Sequence, residues 1–514
     1  MQTDNRGRVS LQQFIDQTPI SPRQRLIFFL TFLVLVADGM DVAIAGLVFP
    51  RLIAEWGTTI GQVTIAVTGA LLAMAIGAIS SGPIADRWGR KPVLTIGFLI
   101  FTLGTAALGL SGSIEVFTLV RILSCLGLGA VTPVAMTIVA DWAPAARRAQ
   151  MVALSFSGVA LGTIVGAYLA AVLIPAFGWK SLVLIAGLLP VIVVPFYLRF
   201  VPEPPATLVK RGRSDSEVKR ALVVIAADPA GVDTSILTTA GVIRMKPFAV
   251  VLSRALAVST GLIWLLAFLT QGLIVLVLQY VPILLQQPSP GPGLDTAQSA
   301  FIMAMWGWGS LVGQIGVSFV LKRVDRFVTG AVAAVWTIVG LWVVVVANLG
   351  FVGLMLVLFG AAIGAAALPT VTNAIGAIAY PDEVRATGVG ASSFMGRIGS
   401  VVSGLSGGLL IAAGFTLPTL FAALSVPVLV VGVAFLGLRA DTRRRRSLLC
   451  GPRRSRVSAA SAGALGVEHS EQQSADHGEV LLELHTLQLA GQGILDRPEG
   501  VPGDRCRNER GGQR

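Results

Sequence analysis

Apolar stretches of about 20 residues recur along this 514-residue chain, separated by short connections that carry charged side chains. A helix needs roughly 17–25 apolar residues to cross the hydrocarbon core of a bilayer, where its backbone hydrogen bonds are satisfied internally. Each stretch therefore predicts one transmembrane helix. The six stretches of the first half are residues 26–48, 61–85, 92–110, 116–140, 151–174 and 181–198. The six of the second half are residues 255–285, 297–321, 327–346, 351–379, 387–412 and 417–438.

The composition agrees with lipid as the main solvent of this chain. Hydrophobic residues make up 54% of it and charged residues 13%, which is unlike a soluble protein. We predict an all-α membrane protein with twelve transmembrane helices in two halves of six. The predicted segments are a cytoplasmic N-terminus at 1–25, a helical half at 26–200, a cytoplasmic linker at 201–254, a second helical half at 255–440 and a disordered cytoplasmic tail at 441–514.

Basic residues lie mainly on one side of this predicted topology. With the N-terminus inside, the outer connections hold only Arg51 and Lys180. This bias predicts that both termini are cytoplasmic, and it accounts for the net charge of +12 without nucleic acid as a partner. No short apolar segment with a small-residue cleavage site precedes residue 26, so we expect the first helix to serve as the insertion signal.

Four ionisable residues lie inside the predicted spans. Inserting a charged side chain at the centre of a transmembrane helix costs about 2.5–3.5 kcal/mol on insertion scales, so such residues indicate a functional site. They are Asp38 and Asp41 in the first span, Arg121 in the fourth and Arg397 in the eleventh. The two aspartates share one helix face, about 4.5 Å apart along the axis. Neighbouring carboxylates resist ionising together, which favours proton uptake by one of them. We predict a proton-coupling pair; the alternative is that both aspartates only pair with arginines and hold helices together.

Arg121 and Arg397 are candidate substrate-binding residues. A guanidinium stays protonated, and its planar fork matches a carboxylate with two parallel hydrogen bonds. Glycines lie near both arginines, so that a ligand or another helix can approach the backbone closely. The alternative for each arginine is a structural ion pair with one of the aspartates.

No histidine lies within a predicted span, because His469, His477 and His485 are all in the tail. Any proton relay is therefore expected to use carboxylates. The three cysteines form neither a disulfide framework nor a metal-binding motif, and we expect no metal and no cofactor.

Neutral side chains within the spans offer further contacts. Three amides could bind a ligand, with helix-to-helix hydrogen bonding as the alternative for each. They are Asn373 in the tenth span and Gln271 and Gln279 in the seventh. Three aromatic side chains could stack on a flat ring, with core packing or lipid contact as the alternative. They are Trp306, Trp308 and Phe394.

The connection after the second span, residues 82–91, reads Gly-Pro-Ile-Ala-Asp-Arg-Trp-Gly-Arg-Lys. It resembles the loop signature between the second and third helices of the major facilitator superfamily. A degraded copy, Lys-Arg-Val-Asp-Arg-Phe at 322–327, follows the second span of the second half and hints at duplication.

The resemblance implies a gating role for the signature residues. They are Gly82, Asp86, Arg87, Gly89 and Arg90. An aspartate here can accept hydrogen bonds at a neighbouring helix N-terminus, and the basic residues can pair with acidic partners. Such contacts form a latch that opens during the transport cycle.

Within that superfamily, residues 20–440 resemble the aromatic acid:proton symporters. The matching segments are Asp38-Gly-Met-Asp41, Arg121 with Gly-Leu-Gly at 127–129, Asp141, Arg385-Ala-Thr-Gly, and Gly-Arg397-Ile-Gly. The resemblance implies transport roles for the acidic pair and for both arginines, and gating roles for Asp141 and Arg385. It also implies a monomer in the bacterial cytoplasmic membrane.

Three positions depart from that family's pattern. Met40 stands where an aromatic residue is usual, Pro369 where a glutamine is common, and Asp141 where glutamate is more frequent. The first two departures bear on the shape of the binding pocket, and therefore on the substrate rather than on the mechanism.

These features together predict a proton-coupled importer of a small organic anion, and the resemblance makes an aromatic carboxylate such as benzoate or hydroxybenzoate the leading substrate. The alternatives are a symporter for another metabolite or a sugar, and a proton-coupled drug exporter. Such exporters commonly carry Gly-Pro in the fifth helix, where this chain has a stripe that predicts close helix packing, Gly158, Gly162 and Gly166. We expect no enzyme, since no nucleophile–base set, metal cluster or nucleotide loop occurs.

Overall fold

The computed structural model describes residues 9–10, 14–16, 18–223, 225, 232–233, 250–253, 256–288, 291–347, 349–380 and 384–449. The first half contains α1 Pro22–Trp56, α2 Ile60–Trp88, α3 Arg90–Ala107, α4 Ile114–Trp142, α5 Ala145–Leu188 and α6 Val193–Phe200. Two short helices follow, α7 Pro205–Lys210 and α8 Asp215–Leu222. The second half contains α9 Ala257–Gln286, α10 Thr296–Val320, α11 Arg326–Val346, α12 Phe351–Ala379, α13 Arg385–Ala412 and α14 Leu417–Leu449. In the described part of the chain, β-structure is limited to β1 Val9–Ser10 paired in parallel with β2 Val232–Asp233.

Eleven helical runs among the described residues are long and apolar enough to cross a membrane. One of them, Ala145–Phe200, is 56 residues long, about twice the length that one crossing requires. Gly178, with a φ of +78°, breaks this run between the predicted fifth and sixth spans. The run therefore supplies two crossings, and the prediction of an all-α membrane protein with twelve transmembrane helices is confirmed. Helices α9 to α14 are spans seven to twelve.

Two glycine turns identify the two ends of the bundle. Gly57 joins α1 to α2 with a φ of +62°, and Gly89 joins α2 to α3 with a φ of +104°. Both lie in the left-handed region that glycine adopts without a steric penalty. We call the ends of the bundle the Gly57 end and the Gly89 end, and the signature residues 82–91 lie at the latter.

The glycine stripe of α5 lies against α1. A Cβ atom added at Gly158, Gly162 or Gly166 would come within 2.0–2.9 Å of an α1 carbonyl oxygen. No side chain larger than hydrogen fits there without moving a backbone, so the prediction of close helix packing is confirmed.

The two halves touch at the Gly57 end and separate toward the Gly89 end. Near the Gly57 end α2 meets α13, where a Cβ atom at Gly408 would lie 1.7 Å from Thr64 Oγ1. Toward the Gly89 end the same helices diverge, and a Cβ atom at Gly82 or Gly390 would meet no described atom within 4 Å. The bundle is therefore closed at the Gly57 end and open at the Gly89 end.

Helix α14 continues to Leu449, past the boundary predicted at residue 440. The remainder of the predicted tail, which holds all three histidines as well as Cys450 and Cys506, lies outside the described residues. Part of the linker predicted at 201–254 also lies outside the described residues, namely 224, 226–231, 234–249 and 254.

Candidate functional site

A cavity between the two halves brings the four predicted ionisable residues together. Asp38 and Asp41 enter it from α1, Arg121 from α4 and Arg397 from α13. The empty space is about 900 Å³, counting solvent at its open side, and apolar side chains form most of the wall. A few convergent polar groups in an apolar wall are typical of a ligand site.

Asp41 and Arg121 form a buried, bidentate ion pair across 80 residues of sequence. Arg121 Nη1 donates to Asp41 Oδ1 at 2.6 Å and Nη2 donates to Oδ2 at 2.7 Å. The two residues are 3% and 6% exposed, so that each compensates the other's loss of solvent. Thr105 Oγ1 donates to the same carboxylate at 3.3 Å. The structural ion pair that remained open for Arg121 is thus present in this conformation.

Asp38 lies one helical turn from Asp41 in a different environment. Thr132 Oγ1 donates to Asp38 Oδ2 at 2.8 Å. Among the described residues no basic side chain forms a direct ion pair with Asp38, although the charge of Arg397 acts on it. Asp38 is therefore a buried carboxylate that a neutral hydroxyl holds in place, without a guanidinium in contact.

Arg397 lines the cavity without a carboxylate partner. Its Nη1 donates to the sulfur of Met74 at 3.4 Å, a weak acceptor. No acidic side chain in the described ranges contacts its guanidinium directly. Arg397 is half-buried and keeps hydrogen-bond donors available to a bound anion.

Of the uncharged side chains predicted to contact a ligand, some line the cavity and others do not. Gln271 and Gln279 line the cavity. Asn373 is exposed on α12 and does not line it, so the structure does not bring this residue to the four charged groups. The three predicted aromatics, Trp306, Trp308 and Phe394, are also absent from the wall.

Two aromatic residues that the sequence did not single out line the cavity instead. They are Phe49 on α1 and Phe156 on α5. Each stands in an apolar helix whose sequence does not show which face meets the cavity, so no local signal distinguishes them from lipid-facing phenylalanines. Their rings offer flat apolar surface to a ligand.

The signature residues at the Gly89 end are only partly engaged. Arg90 Nη1 forms an ion pair with Asp141 and also donates to the carbonyl oxygen of Thr137 at 3.1 Å. This contact joins α3 to α4 within the first half. Gly82, Asp86 and Arg87 are exposed. Arg385 is the first residue of α13, and its side chain lies outside the described residues.

Glu203 holds the N-terminus of α3, a role that the sequence did not reveal. Its Oε1 accepts from the backbone N–H of Arg90 at 2.5 Å, and its Oε2 accepts from that of Lys91 at 3.0 Å. A carboxylate is favoured there because helix N-terminal N–H groups are unpaired and carry partial positive charge. Glu203, not Asp86, thus occupies this position. Its place in the linker, 112 residues from Lys91, gives no sequence signal.

Comparison with known proteins places the chain among transporters. Residues 31–403 match the family model described as Major Facilitator Superfamily. The gallate transporter of Pseudomonas putida is 31% identical over 430 residues, which cover 83% of this chain and 94% of that protein. The 4-hydroxybenzoate transporter PcaK of Pseudomonas aeruginosa is 32% identical over 437 residues, 84% of this chain and 95% of that protein. The fold is similar to that of the inward-open xylose transporter XylE of E. coli, with a TM-score of 0.65, 16% identity, and coverage of 81% of this chain and 95% of that one.

Proposed function

Because the chain belongs to the Major Facilitator Superfamily, we propose that it is a proton-coupled symporter that imports an aromatic carboxylate by alternating access. The named substrates of the two relatives, gallate and 4-hydroxybenzoate, are aromatic carboxylates. The chain spans most of the length of both relatives, so the comparison applies to the whole helical bundle.

The observation that carries this proposal is the state of the two cavity arginines. Arg121 is held by Asp41, whereas Arg397 has no carboxylate partner among the described residues. A guanidinium facing a partly dry cavity gains most from an anionic ligand, because that ligand replaces lost solvent with charge-assisted hydrogen bonds. The substrate carboxylate therefore binds Arg397, and the apolar wall receives the ring.

Asp38 and Asp41 couple this binding to protons. When a carboxylate occupies Arg397, it weakens the attraction that this arginine exerts on Asp38 and adds a negative charge nearby. The neutral, protonated form of Asp38 is then favoured. A substrate that also reaches Arg121 competes with Asp41 in the same way. Substrate and proton binding become mutually favourable, as linkage requires for symport.

Alternating access moves the two halves about this central cavity. In our proposal the Gly89 end faces the cytoplasm of a bacterium, both termini lie on that side, and one chain suffices for transport. Closure of this end brings the exposed Asp86 toward the N-terminus of α13, which begins at Arg385. The ion pair between Arg90 and Asp141 joins α3 to α4 within the first half and so moves with that half.

Proton coupling is tested with purified protein in proteoliposomes that are alkaline inside. Labelled 4-hydroxybenzoate should accumulate above its external concentration, and a protonophore should abolish this accumulation. Asp38→Asn and Asp41→Asn should lose the pH-driven accumulation, because neither side chain can then release a proton.

Protein-free liposomes and labelled xylose serve as controls for leakage and for sugar transport. Uptake of xylose, or accumulation of the carboxylate that ignores the pH gradient, would overturn the proposal. Unchanged pH-driven accumulation in both asparagine variants would remove the aspartates from the coupling mechanism.

A further inference from the structure

Gln279 on α9 is a buried residue that faces the cavity and has no hydrogen-bond partner in the described part of the chain. It is 5% exposed and lines the cavity. No hydrogen bond joins its side chain to any described residue. Its amide atoms are open to the cavity, so a ligand that displaces solvent from the cavity must replace their hydrogen bonds or lose binding free energy. The helix-joining role that explains most amides in membrane helices is therefore not fulfilled in this conformation.

The position of Gln279 along the bundle can be related to that of Arg397. The neighbouring Tyr280 packs its ring against Gly407 and donates its hydroxyl to the carbonyl oxygen of Gly404, which places Gln279 near the level of Gly404 to Gly407. These glycines follow Arg397 by seven and ten residues on α13, which corresponds to a rise of about 10–15 Å along the helix axis. The guanidinium and the amide thus lie at different depths of one cavity, with the amide nearer the closed Gly57 end.

Apolar side chains line the cavity between these two depths. They are Val67 and Leu71 on α2 and Ile274, Val275 and Leu278 on α9. An apolar wall of this kind can receive a flat ring whose carboxylate is directed to Arg397. A group on the opposite side of the ring then points toward Gln279.

We infer that Gln279 recognises a hydroxyl group on the substrate ring opposite the carboxylate, which makes the preferred substrate class hydroxybenzoates rather than benzoate. The inference rests on the proposed function and specifies its substrate. A primary amide both donates and accepts hydrogen bonds, so it can bind a phenolic hydroxyl either as donor or as acceptor. A substrate without that hydroxyl leaves the amide unpaired and is disfavoured by the same loss.

The first test uses the wild-type protein and needs no variant. The KM for proton-driven uptake of 4-hydroxybenzoate should be about 10-fold lower than the KM for benzoate, as expected for one well-placed hydrogen bond. Equal KM values for the two substrates would overturn the inference and leave the proposed function intact. Failure to take up either carboxylate would overturn the proposed function together with the inference.

The second test replaces the amide with an apolar side chain of similar shape. Gln279→Met should raise the KM for 4-hydroxybenzoate about 10- to 100-fold and change the KM for benzoate less than about twofold. The matched control is Gln314→Met, since Gln314 is a half-buried residue of α10 that does not line the cavity. It should leave both KM values unchanged. Equal changes for both substrates in Gln279→Met would overturn the inference.

Discussion

Arg397 and Arg121 carry the same charge, but their surroundings give them different sensitivities to substitution. Arg397→Lys keeps the positive charge and removes the planar fork that binds a carboxylate with two hydrogen bonds. We expect the KM for 4-hydroxybenzoate to rise about 10- to 100-fold, measured as initial uptake in proteoliposomes. An unchanged KM would exclude direct contact between Arg397 and the substrate carboxylate.

In the described part of the chain Asp41 contacts an arginine and Asp38 does not, so substitution of the two residues should change the thermal stability of the protein in detergent to different extents. Asp41→Asn leaves the buried Arg121 without its counter-charge, at a cost of about 3–5 kcal/mol in the free energy of unfolding. Asp38→Asn keeps an amide oxygen that can accept from Thr132 Oγ1, and it leaves no contacting cation without a counter-charge. We expect the Tm to fall clearly more in Asp41→Asn. The double variant Asp41→Asn with Arg121→Met should recover most of that Tm without recovering transport. A Tm of Asp41→Asn equal to that of the wild type would show that the ion pair contributes no stability.

At the scale of helices, contact between α1 and α5 fixes the orientation of the aspartate pair. Gly162 is one of the closest points of this contact, since a Cβ atom there would lie 2.0 Å from the carbonyl oxygen of Val36. Gly162→Ala should therefore separate the two helices and cost about 1–3 kcal/mol in the free energy of unfolding. We expect a lower Tm together with slower transport, because Asp38 and Asp41 shift with α1.

The matched control for this prediction is Gly316→Ala on α10. A Cβ atom at Gly316 would meet no described atom within 4 Å, so the added methyl group is accommodated. Its Tm should stay at or slightly above that of the wild type, because alanine favours a helix more than glycine does. If Gly162→Ala behaved like this control, the close contact between α1 and α5 would not matter for stability.

At the scale of the whole molecule, transport requires the closed Gly57 end to open. A Cβ atom at Gly404 would lie 3.6 Å from Thr68 Oγ1, the atom that a cysteine sulfur would replace, so cysteines at these two positions should lie close enough to bridge. The pair Thr68→Cys and Gly404→Cys, with Cys125, Cys450 and Cys506 replaced by serine, should form a disulfide under mild oxidation. Transport should stop on oxidation and return on reduction, while each single cysteine variant stays active.

The opposite end provides the converse measurement. Gly82 and Gly390 have no described neighbour in the open conformation, so cysteines at these positions should react with a bifunctional reagent only after closure. Adding 4-hydroxybenzoate at low pH should change that reaction rate. Full transport by the oxidised variant with cysteines at positions 68 and 404 would contradict alternating access through the Gly57 end.

The sequence by itself determined the fold class, the twelve crossings and the four charged residues of the cavity. These properties depend on the transfer of each helix from water to lipid, which local hydropathy and the cost of a buried charge report directly. The break at Gly178 between the fifth and sixth spans also follows from local sequence, because the apolar stretches end and restart on either side of it.

Only the tertiary structure decided which groups meet. Arg121 reaches Asp41 across 80 residues and Arg397 reaches Met74 across 323 residues, so these contacts depend on how distant helices are rotated against one another. The same rotations place Gln279 in the cavity, leave Asn373 outside it and bring Glu203 to the start of α3. The rotation of a helix about its axis is fixed by packing between residues far apart in the chain. A helix that is apolar on nearly every face does not show by its hydropathy which face points to the cavity.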